Sequence, residues 1–300
     1  MRRPTALAAS SLASALVLAA AAGCGSEEAA ADDGVQVVAS TDVYGDLAKT
    51  VGGDRVQVTS VIDDPSADPH SYEASVRTQL AVSEADLVIE NGGGYDDFMG
   101  TLLSASEGDP TVLTAVDVSG LDADAEGFNE HVWYDLPAMS DLVGEVADAL
   151  GEIDPDGAED YAANAGGLQD GIAALVAREE SARAAASGAG VLMTEPVPGH
   201  LLDAIGAQDL TPGEFAEAIE EGSDVSPAVL QETLGLLTSG SVRALVYNEQ
   251  TSGPETEQVL AAAQTAGVPV VPVTETLPEG EDYVGWMGAN LDEVVAALAA

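Results

Sequence analysis

The chain has 300 residues, 46% hydrophobic but only 4% aromatic, so a sizeable core is available and must be built mostly from Ala, Val and Leu. Acids outnumber bases 53 to 8, for a net charge of −45. That balance excludes nucleic acid as a partner, because such binding needs a basic surface to displace counterions, and it disfavours direct contact with anionic lipid headgroups.

The first 23 residues read as an export signal peptide. Arg2 and Arg3 precede an apolar run from about Ala6 to Ala22, short for a membrane span once its small-residue end is set aside. The single cysteine, Cys24, follows in the stretch AAGC. This resembles a bacterial lipobox, with Ala21 where leucine is more usual. It implies cleavage before Cys24 and lipid attachment to its sulfur, since an unpaired exported thiol is otherwise unexplained. The product is expected on the extracytoplasmic face of the cell membrane, anchored by that lipid and free of disulfides. Residues 24–34, CGSEEAAADDG, read as a flexible acidic tether.

From Val35 strands and helices alternate. VQVVAST is an apolar strand, DVYGDLAKTVGG a helix stopped by Gly52 and Gly53, and RVQVTSVI an alternating strand. The turn DDPSADPHSYE leads to a helix in SVRTQLAVSEA, a strand in DLVIENGGG, a helix in YDDFMGTLLSAS and a strand in TVLTAVDV. A polar stretch, SGLDADAEGFNEHVWYDLP, then opens the helix AMSDLVGEVADALGEI, with Asp135 as N-cap and Pro137 in the first turn. Residues 35–154 thus make an N-terminal lobe. Asp154–Pro155 interrupts the chain, and residues 155–187 form one long connecting helix, although Gly166, Gly167 and Gly171 each cost about 1 kcal/mol relative to Ala. Residues 188–300 resume the rhythm as a C-terminal lobe. AGVLMTE, VRALVYNE and VPVVPVTE are strands there, separated by helices, and DYVGWMGANLDEVVAALA closes the chain as a helix. The expected fold class is α/β: two lobes, each a parallel β-sheet flanked by helices, joined by one long connecting helix.

Only three histidines occur in the chain. His70 follows a strand in DPHSYE, and His131 precedes a helix in NEHVWYD. Glu195 ends the strand VLMTE, and Glu275 ends VPVVPVTE. Open α/β sheets bind ligands at the carboxyl ends of their strands, so these four positions could meet. Two imidazoles and two carboxylates would suit a divalent transition metal. Each residue also has an ordinary reading, as a surface histidine or a helix-capping glutamate, and the residue types alone leave that choice open.

The surrounding motifs carry the reading further. DPHSYE, EHVWYD about 60 residues later, a strand ending in MTE and another ending in VTE resemble the zinc/manganese substrate-binding lipoprotein family of bacterial metal ABC importers. ADLVIENGGGYDDFM and GVPVVPVTETLPEGEDYVGWMGANLDEVVAAL are further echoes, and the resemblance runs from about Val35 to Leu298. It implies metal ligands at His70, His131, Glu195 and Glu275, the last placed only by its strand and the TLP that follows. His200 stands where the family has an aromatic residue and reads as a helix-face residue; it is the first substitute should Glu195 fail. Glu249, ending VYNE, is the reserve for Glu275. The acidic run GLDADAEGFNE replaces the His-rich loop of some zinc-specific members, which removes one argument for zinc.

What the resemblance implies is a binding protein, not an enzyme. It would act as a monomer that captures Zn²⁺ or Mn²⁺ between its lobes and delivers it to an ABC permease. Histidine must be neutral and glutamate ionised to coordinate, so affinity should fall as pH drops below roughly 6. Two glutamates balance the dication, and carboxylate-rich ligation suits Mn²⁺, while Zn²⁺ binds mixed N/O sites more tightly in general. The alternative is a secreted zinc-dependent hydrolase, whose three-ligand metal would keep an open position for water. The sequence contains no HExxH, GxSxG or Walker loop to support it.

Overall fold

Eight strands and eleven α-helices alternate along the described residues of the computed structural model, which are 34–64, 72, 74–125 and 127–300. The first sheet contains β1 (Val35–Thr41), β2 (Val56–Ile62), β3 (Leu87–Glu90) and β4 (Thr111–Thr114) in the order β2-β1-β3-β4, with every pair parallel. The second contains β5 (Gly190–Met193), β6 (Gln208–Asp209), β7 (Val242–Asn248) and β8 (Val270–Val273) in the order β6-β5-β7-β8, again all parallel. The two lobes therefore share one strand order. β1, β3, β5 and β7 lie inside their sheets and are buried over most of their length, which is why they read as nearly unbroken apolar runs.

In the first lobe the helices are α1 (Asp42–Gly52), α2 (Val76–Glu84), α3 (Asp97–Ser104), α4 (Ala115–Ser119) and α5 (Leu136–Ile153). α5 starts as its sequence predicts: the Asp135 carboxylate accepts the Ala138 N–H, and Pro137 lies in the first turn. α6 (Ala158–Ala186) connects the lobes as one helix of 29 residues. Its Tyr161, Ala165, Leu168, Ile172 and Leu175 recur every three or four residues and are buried, so tertiary packing of that stripe outweighs the cost of the three glycines. The Asp154 carboxylate anchors its start by accepting from Arg55 Nη1 at 2.7 Å and Tyr161 Oη at 2.8 Å. The second lobe carries α7 (Gly199–Ile205), α8 (Gly213–Glu220), α9 (Pro227–Ser239), α10 (Pro254–Ala266) and α11 (Tyr283–Ala299).

The structure departs from the sequence reading in three places. TVLTAVDV is a strand only to Thr114; beyond it, Ala115 and Val116 turn inward and form α4, closed by Gly120 at φ 69°. The strands before Glu195 and Glu275 stop two residues short of them, at Met193 and Val273, so both glutamates sit on loops beyond the sheet edge. β6 and α8 lie in a stretch to which periodicity assigns no element.

One apolar cluster runs through both lobes, and hydrogen bonds cross the seam between them. Tyr283 Oη donates to the Trp133 carbonyl at 2.6 Å, and Tyr134 Oη donates to the Thr274 carbonyl at 3.1 Å. Asp42 and Asp46 of α1 accept the N–H groups of Leu277 (3.1 Å) and Tyr283 (2.9 Å). These contacts fix the strand-end loops of the two sheets against each other.

Candidate metal centre

His131 sits on the loop before α5 and is 1% exposed. Its Nδ1 lies 2.7 Å from Asn129 Oδ1, an oxygen that can only accept. The Nδ1 proton is therefore held by Asn129, and the neutral ring in this orientation would bind a metal through Nε2. Tyr95 and Trp133 pack edge-on to the imidazole, with ring centroids 5.8 and 5.1 Å away. Asn129 also crosses the seam, donating from Nδ2 to the Pro196 carbonyl at 2.8 Å, and its own carbonyl accepts from His200 Nε2 at 3.0 Å. His200 is thus tied to the backbone of the His131 loop.

Glu195 and Glu275 are 3% and 1% exposed. A single nitrogen joins them: Asn248 Nδ2 donates to Glu195 Oε2 at 2.6 Å and to Glu275 Oε1 at 2.8 Å. Asn248 ends β7, and its own N–H is held by Thr194 Oγ1 at 2.9 Å. The Glu275 loop is fixed further by Gln250 Oε1, which accepts its N–H. Two buried carboxylates held by one amide are a like-charged pair that a dication would stabilise. Glu249, one residue past Asn248, is exposed. The period-2 alternation of a strand end turns one residue inward and the next outward.

A further carboxylate faces the imidazole. Glu220 closes α8, and its Oε1 is 3.7 Å from His131 Nε2. Donor atoms of Glu130, His131 and Glu220 all lie within 4.8 Å of one another. Burial, then the charges of Glu130, Glu195 and Glu275, pushes the Glu220 carboxyl up to about 8. Neither Glu220 nor Asn248 emerged from the sequence as a site residue. The signal for α8 was present, since Phe215, Ala218 and Ile219 have helical spacing, but nothing local directs Glu220 toward His131. His70 and Cys24 lie outside the described residues.

A family profile described as zinc-uptake complex component A, periplasmic (ZnuA), matches residues 37–297. Among curated proteins, the manganese-binding lipoprotein MntA of Halalkalibacterium halodurans is 32% identical over 149 residues, or 48% of this chain and 49% of that protein. The match thus spans about half the length of that relative. The manganese ABC transporter substrate-binding lipoprotein PsaA of Streptococcus mitis is 24% identical over 305 residues, covering 95% of this chain and 96% of the relative. Among solved structures, the periplasmic zinc-binding protein TroA from Treponema pallidum superposes with a TM-score of 0.73 at 22% identity, covering 89% of this chain and 100% of that one. At that identity the likeness is one of fold.

Proposed function

Because the chain belongs to the family of periplasmic component A of zinc-uptake complexes, we propose that it captures a divalent transition metal, Zn²⁺ or Mn²⁺, between its lobes and hands it to an ABC permease. The observation that carries this reading is the Asn248 amide holding the buried Glu195 and Glu275 together, on the lobe that faces the buried His131, whose Nδ1 is engaged by Asn129. His131 of the first lobe and the two glutamates of the second then act as ligands, with His70 as the fourth. Cleavage before Cys24 and lipid on its sulfur would hold the protein, as a monomer, on the extracytoplasmic face beside its permease. Residues 1–23 serve as signal peptide, 24–34 as tether, 35–154 and 188–300 as the two lobes, and 155–187 as the connecting helix. The family and the relatives named above lend no support to the hydrolase alternative.

Capture by this site needs little rearrangement of His131, Glu195 and Glu275, which are already held by Asn129, Asn248 and, through the Glu275 N–H, Gln250. Preorganisation of that kind lowers the ordering cost of binding. The test is metal content, by mass spectrometry, of protein purified without chelators. Wild type should carry one ion per chain, and His70→Ala, His131→Ala and Glu275→Ala should each lose it. Retention of stoichiometric metal by these variants refutes the assignment.

A further inference from the structure

We infer that Glu220 is an additional metal ligand, supplied by α8, which biases the site toward Mn²⁺; this rests on the metal-capture reading above. His131 turns Nδ1 to Asn129 and Nε2 to Glu220 Oε1, 3.7 Å away, with a donor atom of Glu130 in the same cluster. With a proton on the ring the contact is an ion pair; with a neutral imidazole, a cation between the two atoms serves both at once. Glu220 Oε1 is buried and makes no hydrogen bond among the described residues. Its place as the last residue of α8 sets the carboxylate beside the negative end of the helix dipole, where a cation is favoured and an anion is not. A metal about 2.1 Å from each atom, the ordinary distance to imidazole nitrogen and carboxylate oxygen, spans the 3.7 Å gap at an angle of about 120°.

The consequence concerns selectivity. On the metal-capture reading, His70, His131, Glu195 and Glu275 fill the tetrahedral shell that Zn²⁺ takes in closed sites. A fifth donor adds little to that shell. Mn²⁺ prefers more ligands and oxygen donors, so a third glutamate contributes more to it. The extra negative charge favours either dication, but only coordination separates them.

The test compares wild type with Glu220→Gln, which keeps the shape and removes the anionic donor, and with Glu220→Asp, which shortens it by one methylene. Glu221→Gln removes the same charge from the exposed neighbouring position. Mn²⁺ and Zn²⁺ dissociation constants are measured by competition with a chelator, and circular dichroism follows the fold. Glu220→Gln should weaken Mn²⁺ binding by about 10- to 100-fold and Zn²⁺ binding by clearly less. Glu220→Asp should fall between it and wild type, and Glu221→Gln should match wild type. Unchanged constants, an equal loss for both metals, or the same loss in Glu221→Gln overturns the inference alone. A wild type that binds neither metal overturns the metal-capture reading and this inference with it.

Discussion

Glu179 lies in the last third of α6 and is 4% exposed, with its Oε1 lacking a hydrogen-bond partner among the described residues. Burial, followed by the charge of Asp135, pushes its carboxyl from the usual 4.5 up to about 7. The folded protein therefore holds a proton that the unfolded chain releases. The stability this contributes is complete below pH 4.5, declines as pH rises through 7, and is absent above it. At 1.36 kcal/mol per pKa unit the whole effect is on the order of 3 kcal/mol, of which about 2.5 kcal/mol falls between pH 5 and 8.5. Glu179→Gln abolishes the titration. The buried amide costs something of its own, but that cost is the same at both pH values. Unfolding in urea can be followed through Trp133 and Trp286, both buried near the lobe seam. The stability difference between variant and wild type should shift by about 2.5 kcal/mol in favour of the variant on going from pH 5 to 8.5. Both conditions lie above the isoelectric point near 4.1, which keeps the acidic chain soluble. A difference that is the same at the two pH values would refute the buried-carboxyl argument.

Three further outcomes are expected. Asn248→Leu, which removes the donor shared by Glu195 and Glu275, should lower metal affinity by about 10- to 100-fold in a chelator competition while leaving the far-ultraviolet spectrum unchanged. Tyr283→Phe leaves the Trp133 carbonyl without its 2.6 Å donor and should cost about 1–3 kcal/mol in urea unfolding. Gly190→Ala would drive a methyl group into the backbone carbonyl of Ser241, where β5 and β7 shift register, and should destabilise by about 1–3 kcal/mol in the same assay.

The alternation of apolar runs and helical periods was enough to establish two parallel α/β lobes and the long helix between them. Such signals are local: a buried parallel strand must be apolar throughout, and a helix against a sheet must carry a stripe. Asp135 at the start of α5 could be read for the same reason, since a cap and its helix are neighbours in sequence. β4 could not be bounded correctly, because a run of Thr, Val and Ala is compatible with either state until Val116 meets its partner, the Asn91 carbonyl. The candidate site divides along the same line. His131, Glu195 and Glu275 stood out as scarce or strand-terminal residues, whereas the roles of Asn248, Asn129 and Glu220 depend on which strand ends and which loop the fold brings together. Hydrophobic pattern decides which face of an element is buried; only the packing of the two lobes decides that Glu220, at the end of a helix with no motif of its own, faces Nε2 of His131.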